Sequence, residues 1–516
     1  MLATALSATL IGLDAHPVRV EVEVVRGVPK FELVGLAEAA VRESRVRVKS
    51  ALSHIGVDLG EYQIVINLAP ADLRKAGSGF DLAIAAATLA AVGAVPTESL
   101  AGVLFLGELS LNGAVHGVRG ILPQLLGARA RGCKRAVVPH ANEAEAGLVH
   151  EIDVRAAGTL EELVRALRGK GKLPSAAPGK SDETVHDHDD LGEVRGQVAA
   201  RRALEVCAAG GHNLLMIGPP GSGKTMLARR MPGLLPPLSR DEALEVTAIH
   251  SVAGLLGVAR GVSRARPFRA PHHTVSEAGL VGGGGDAPRP GEVSLAHQGV
   301  LFLDELAEFR RSALESLRQP MEDGTVSVSR AHVKVTFPAR PLLVCAMNPC
   351  ACGYRGDGTR RCTCSAERVR AYRARLSGPL LDRIDVHVAL PPVKVTALQG
   401  PHVGEGTVVV RARVARAREV QRARFKRGEV GVPSNALLRP RELDRVAVLS
   451  DAGKQLLGAA VDRLALSARA YTKVLRVART IADLDGATAI APAHLAEAIG
   501  ARILDRSSSE TDLDAA

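Results

Sequence analysis

Asn213-Leu-Leu-Met-Ile217 runs without a break into Gly218-Pro-Pro-Gly-Ser-Gly-Lys-Thr225, and this junction decides the fold. Four consecutive apolar residues bounded by glycine predict a short strand buried on both faces. The octapeptide fits G-x-x-x-x-G-K-[ST], and the residues from Met226 to Arg230 read as helix, so the loop joins a strand to a helix. Gly221 and Gly223 let backbone N–H groups close around phosphate oxygens at a helix N-terminus, whose dipole already favours anions. Lys224 supplies a point charge to the outer phosphates, and the Thr225 hydroxyl is a ligand for Mg²⁺. The expected ligand is ATP or another nucleoside triphosphate with Mg²⁺, held by Gly218, Pro219, Pro220, Gly221, Ser222, Gly223, Lys224 and Thr225.

Downstream, Gly299-Val-Leu-Phe-Leu-Asp-Glu-Leu306 is an apolar strand that ends in adjacent carboxylates. The C-terminal end of a parallel strand faces the ligand crevice, so Asp304 can hold a Mg²⁺-bound water and Glu305 can polarise an attacking water. Leu342-Leu-Val-Cys-Ala-Met-Asn348 is a further buried strand, and its terminal amide can reach the γ-phosphate or the lytic water. Strands alternate with helical stretches down to about Pro392, as expected for a parallel sheet covered on both faces. Catalytic roles are therefore expected for Lys224, Glu305 and Asn348.

Working outward, the chain has 516 residues, enough for about three domains. Residues 1–168 mix strand and helix: Val18–Val25 alternates with period two, and Gln63–Leu68 is β-branched. Residues 169–190, rich in Gly, Pro, Ser, Lys and Asp, read as a linker. Residues 191–392 form the nucleotide-binding unit and 393–506 read as helical, with Ser467 as an N-cap, Gly486 as a stop and a last helix from Pro492. The tail 507–516 reads as disordered. Apolar residues make up 46% and charged residues 23%, which excludes wholesale disorder. No apolar run is long enough to span a bilayer, and no signal peptide is evident, so a soluble cytoplasmic protein with no membrane partner is expected.

The net charge of +11 favours a polyanionic partner, while aromatics at 2% argue against stacking platforms for single strands. Arg411, Arg413, Arg416, Arg418, Arg422, Arg424, Lys426 and Arg427 crowd one helical stretch, suited either to phosphates or to subunit contacts. Arg42, Arg45, Arg47 and Lys49 make a smaller basic strip, read as a solvated helix face. His272 and His273 after Pro271 read as solvated, with a pore or interface role as the alternative. Cys350, Cys352, Cys362 and Cys364 form C-x-C-x₉-C-x-C, for which Zn²⁺ coordination and free thiols stand as equal alternatives.

The order of these elements resembles the AAA+ ATPases. Pro267-Phe-Arg-Ala-Pro-His-His273, Gly291-Glu-Val-Ser-Leu-Ala-His297, Leu317-Arg-Gln-Pro-Met-Glu-Asp-Gly324 and Ser467-Ala-Arg-Ala-Tyr471 narrow the resemblance to YifB/ComM-type, magnesium-chelatase-like proteins of bacteria. It implies an α/β fold: a P-loop AAA+ core with a helical lid, preceded by an α+β Lon-protease-like domain of ribosomal S5 type. It also implies that Arg383 is an arginine finger acting on a neighbour's ATP, with Arg375 as a competitor, and that Arg469 is a sensor touching the γ-phosphate in cis. Arg195-Gly-Gln197 would enter the site from the linker side. The implied assembly is a homo-oligomer, a hexameric ring, and the implied partner is DNA, bound without sequence preference as single-stranded or branched substrate. Gly324–Arg330 resembles a pore hairpin, with Arg330 and Lys334 toward DNA; a plain surface hairpin is the alternative. The implied function is a branch-migration helicase of natural transformation. Two other functions compete: a magnesium-chelatase motor subunit, although no D-x-S-x-S motif occurs, and a Lon-like protease. The N-terminal domain reads as non-catalytic, because Gly79 and Leu122 fall where the protease has serine and lysine, and Ser78 and Lys75 are out of register.

Overall fold

The computed structural model describes residues 1–36, 38–179, 189–256, 263–284, 288–330, 333–358, 360–393, 396, 399, 404–464 and 466–502. The expected tail 507–516 lies outside the described residues, as does 180–188 of the expected linker.

The N-terminal sheet has seven strands in the order Lys30–Val34, Tyr62–Ala69, Asp14–Arg26, Leu2–Ile11, Val103–Phe105, Arg135–Pro139, Asp153–Ala157. Pairing is antiparallel between Leu2–Ile11 and Asp14–Arg26 and between Asp14–Arg26 and Tyr62–Ala69, and parallel elsewhere. The alanine-rich helix Asp81–Ala91 has no polar face, and all its residues are buried. Its one charge, Asp81, accepts from Arg47 Nε at 2.6 Å and from Leu109 N at 3.1 Å. Arg47 is thus a structural partner rather than part of a solvated strip. Residues 169–190 are not a free linker throughout: Ala156 N donates to Pro174 O and Ala176 N to Val154 O, so this stretch adds itself to the sheet edge.

The second sheet is fully parallel, in the order Phe268–Arg269, Val300–Leu303, Leu342–Met347, Leu214–Ile217, Val386–Ala389. Successive residues of a strand face opposite sides. Leu214, Met216, Phe302 and Val344 therefore join one apolar core, while Leu215, Ile217, Leu303 and Cys345 join another on the far face. The first core continues into the C-terminal helices through Val410, Val414, Val474 and Ile481. Those helices are Thr407–Lys426, Pro440–Val446, Asp451–Leu464, Ala468–Leu484 and Pro492–Gly500. Ser467 Oγ caps the fourth by accepting from Ala470 N, and Gly486 follows its end at φ +70°, as their positions predict.

Two seams join these layers. Helix Ile121–Ala130 packs on helix Arg240–Ala253, where buried Glu145 accepts from Ser251 Oγ at 2.6 Å, Asn142 Nδ2 at 2.6 Å and Leu122 N at 3.3 Å. Asp190 joins the other: its carboxylate accepts from Thr407 N at 2.5 Å and Gly192 N at 3.2 Å, and its carbonyl from Arg230 Nε at 2.7 Å. No helix among the described residues is long and apolar enough to cross a membrane.

Candidate nucleotide site

The C-terminal ends of three neighbouring parallel strands converge. From Leu214–Ile217 the chain turns through Gly221 and Gly223, at φ +78° and +90°, into helix Lys224–Leu234. Gly218 is needed for a different reason, since a Cβ there would lie 2.5 Å from the Leu390 carbonyl oxygen. Lys224 Nζ donates to Gly218 O at 2.6 Å, Pro219 O at 2.9 Å and Asn348 Oδ1 at 3.3 Å. Burial lowers the pKa of this ammonium from its ordinary value, with Asp304 and Glu305 pulling the other way. It is thus held by weak neutral acceptors beneath a loop shaped for phosphate.

Thr225 Oγ1 donates to Asp304 Oδ2 at 2.7 Å, which brings two hard oxygen donors together at the helix start. This donor chemistry fits Mg²⁺, which takes one or two protein oxygens and completes its shell with phosphate and water. Asp304 Oδ1 also accepts from Glu305 N at 2.9 Å. Glu305 sits at φ +52°, ψ +46°, a left-handed conformation that costs a non-glycine residue on the order of 1 kcal/mol. Its carboxylate lies 3.2 Å from His273 Nδ1, and His272 packs on His273 with ring centroids 4.0 Å apart. His273 was expected in solvent. The structure instead places it on Glu305, a contact between different strand ends that adjacent residues could not signal.

The remaining expected residues stand differently. Arg383 Nη1 donates to Pro379 O at 2.6 Å and its other terminal nitrogen pairs with Glu322, so the side chain is folded onto its own chain. Arg375 Nη1 donates to Glu308 Oε2 at 2.8 Å, just beyond Glu305. Arg469 is largely exposed, 3.7 Å from Asp382, and makes no contact with the phosphate loop among the described residues. Gln197, at φ +51°, donates from Nε2 to Ser222 O at 3.1 Å and Pro391 O at 2.7 Å, and so reaches the loop from the linker side.

Beside the loop lies a cavity of about 450 Å³, which the motifs did not reveal. Ala199, Val206, Pro219, His387, Val388 and Ile481 form its walls. His387 is buried, and neither of its ring nitrogens has a hydrogen-bond partner among the described residues. Burial, helped by Arg502, holds its pKa well below the ordinary value, so the ring is neutral and carries one donor and one acceptor. Mostly apolar walls that carry this neutral imidazole, with Arg202, Arg355 and Glu497 also lining the space, suit a planar nucleobase.

The basic helix is less open to nucleic acid than its composition promises. Arg413 pairs with Glu205 and Glu405, Arg418 donates to Ala208 O, Arg424 pairs with buried Asp483, and Arg427 pairs with Glu429. Arg416, Arg422 and Lys426 are exposed. The expected hairpin pairs Thr325–Arg330 with Val333–Pro338, burying Val326, Val328, Val335 and Phe337 and exposing Lys334. The Arg330 side chain lies outside the described residues. In the N-terminal domain, Ser78 Oγ donates to Glu108 and Lys75 Nζ to Pro70 O, so the two are not paired with each other.

A phosphate loop, a carboxylate pair and a polar strand end on adjacent parallel strands, with a helical lid sharing their core, define an AAA+ nucleotide-binding protein. Sequence comparison narrows the class. The family described as magnesium chelatase, subunit ChlI, matches residues 190–398; subunit ChlI of Mg-chelatase matches 20–142; and the ChlI C-terminal family matches 404–502. An uncharacterized protein of Mycobacterium tuberculosis is 46% identical over 97% of this chain and 98% of its own length. The competence protein ComM of Haemophilus influenzae is 43% identical, covering 98% of both chains, and the uncharacterized protein YifB of Escherichia coli is 44% identical, covering 96% of both. The chain belongs to this ComM/YifB family of magnesium-chelatase-like AAA+ ATPases. A partial likeness, 26% identity over 147 residues, links it to Lon protease 2 of Bacillus subtilis.

Proposed function

We propose that this protein is a Mg²⁺-dependent ATP hydrolase that works as a ring, a hexamer by the family resemblance, and uses turnover to move or remodel DNA. The observation that carries the proposal is the meeting of Lys224, Thr225, Asp304, Glu305 and Asn348 at the ends of three parallel strands. The nucleobase enters the cavity beside His387, and the phosphates lie along Gly218–Thr225. Lys224 exchanges its carbonyl partners for phosphate oxygens. Thr225 and Asp304 hold Mg²⁺, which when bound neutralises charge on the phosphates. Glu305 takes a proton from the attacking water, and Asn348 positions that water or the γ-phosphate. Arg469 approaches in cis when the lid closes. Arg383 leaves Glu322 and reaches the neighbouring subunit's nucleotide, where a finger is worth roughly 10³–10⁵ in rate.

The DNA half of the proposal rests on the +11 net charge, the exposed Arg416, Arg422, Lys426 and Lys334, and the kinship with a protein named for competence. A cytoplasmic location accords with it. The matches to chelatase domains favour a second reading, a motor for metal insertion. Lon-like proteolysis gains no support from Ser78 and Lys75, which are engaged elsewhere. The test is ATPase rate with no DNA and with single-stranded, duplex and four-way-junction DNA across a salt series. Stimulation that fades as salt rises is expected; none in any condition would transfer the proposal to the chelatase-type motor. In the same assay Glu305→Gln should keep nucleotide bound while slowing turnover at least about 100-fold.

A further inference from the structure

The loop between strand Leu342–Met347 and helix Ala366–Arg373 brings four cysteines to one point. Cys350 Sγ lies 3.4 Å from Cys352 Sγ and 3.7 Å from Cys362 Sγ, and Cys352 lies 3.5 Å from Cys362. With Cys364, all four sulfurs are within 4.8 Å of one another. A formed disulfide has sulfurs about 2.05 Å apart, so these four are separate thiols. A tetrahedral ion with metal–sulfur bonds of about 2.3 Å spaces its sulfurs about 3.8 Å apart, close to the distances here. Sulfurs this near one another are also too close to straddle a multi-iron cluster. Gly353, Gly356 and Gly358, at φ +87°, +73° and +69°, supply the turns that fold both C-x-C pairs inward. The other three cysteines, Cys133, Cys207 and Cys345, lie elsewhere, so the gathering does not follow from cysteine content alone.

The loop is not remote from the nucleotide site. A Cβ on Gly353 would lie 2.9 Å from Pro220 Cδ in the phosphate loop and 3.9 Å from Asn348 Cγ. Beyond Cys364, Ser365 caps the helix that leads toward Arg375 and Arg383.

We propose that Cys350, Cys352, Cys362 and Cys364 bind one Zn²⁺ as four thiolates, releasing four protons, and that the ion braces the loop on which Pro220 and Asn348 rest. The first half stands on sulfur geometry alone; the second rests on the nucleotide site proposed above. A zinc in this place stiffens the phosphate loop from behind and takes no part in the chemistry. Without it, four unligated thiols and three glycines leave the backing of Pro220 unsupported.

The test is metal analysis of the full-length wild-type protein purified from zinc-supplemented medium without chelators. About one zinc per chain is expected, released by a thiol-specific mercurial and detected with a chromogenic chelator. The Cys350→Ser/Cys362→Ser double variant should retain less than about 0.1 zinc per chain and bind a fluorescent ATP analogue at least about 10-fold more weakly. Wild-type protein with no stoichiometric metal overturns the site, as does stoichiometric iron with visible absorbance. Zinc in the wild type together with unchanged nucleotide affinity in the zinc-free variant overturns the brace. Should the variant not fold, the wild-type measurement still decides the site, and affinity before and after mercurial release decides the brace. Lys224→Ala separates the two proposals, since it should lose nucleotide and keep its zinc.

Discussion

Replacing Asp483 by alanine should loosen the C-terminal helices. Its Oδ1 pairs with Arg424 and with Arg479 Nη2 at 2.8 Å, and its Oδ2 accepts from Asn435 Nδ2 at 2.8 Å. Asp483 is 1% exposed, Arg479 3% and Arg424 10%, so one carboxylate neutralises two guanidiniums shielded from water. Removing one member of such a pair costs about 3–5 kcal/mol. The lower end applies here, because Arg479 keeps Ala487 O at 2.6 Å and Thr488 O at 2.9 Å, and Arg424 keeps Asn435 Oδ1 at 3.2 Å. A loss of about 3 kcal/mol corresponds to roughly 100-fold faster exchange from amides that open with these helices. The assay is hydrogen–deuterium exchange by mass spectrometry on peptides from 407–426 and 468–484, with thermal unfolding alongside. Arg469 lies on the same helix about four turns from Asp483, so ATP turnover should fall with the loss of order. Exchange unchanged in both helices, with a melting midpoint within about 2 °C of wild type, would refute the reasoning.

Other tests address the seams and the site. Burial raises the pKa of Glu145 above its ordinary 4.5, against hydrogen bonds from Ser251, Asn142 and Leu122 that lower it. Its contribution is therefore fully present below the unfolded value and lost as pH rises through the higher folded value. Glu145→Gln should flatten that decline in thermal stability, and an unaltered pH profile would exclude Glu145 as its source. His273→Ala should alter kcat by no more than about 5-fold, since Glu305 is half exposed and such a contact is worth about 1 kcal/mol; a loss as large as that of Glu305→Gln would make the histidine itself the base. Glu322→Gln should free Arg383 and raise turnover up to about 5-fold, and the same gain in an Arg383→Ala background would show that the arginine is not responsible.

The chemistry that lies along one strand and the loop after it was legible in the sequence. Gly218–Thr225, the Asp304–Glu305 pair and Asn348 each end an apolar run, and parallel pairing carries those ends to a common edge. The caps at Ser467 and Gly486 were legible for the same local reason. What depends on the far side of a fold was not. Nothing in the arginine-rich stretch announces that Arg413, Arg418 and Arg424 turn inward to Glu205, Ala208 and Asp483. Arg383 carries no local mark of Glu322, and the pocket beside His387 is walled by segments scattered from Ala199 to Ala501. Cysteine spacing announced a cluster and left zinc and free thiols open, while the sulfur distances, which are compatible with a tetrahedral ion, required the folded loop.

Asp190 fastens three pieces of the chain at a single residue. The helix behind the phosphate loop reaches it through Arg230, the approach to the sheet through Gly192, and the first C-terminal helix through Thr407, whose hydroxyl accepts from Leu191 N at 2.7 Å. Asp190 is not the lone fastening there, since the same C-terminal helix is also held to Val198–Gly210 by Arg413 on Glu205 and by Arg418 on the Ala208 carbonyl. A movement of the C-terminal helices would reach the phosphate loop through several contacts in parallel, with the Asp190 carboxylate as the one nearest the sheet's entry.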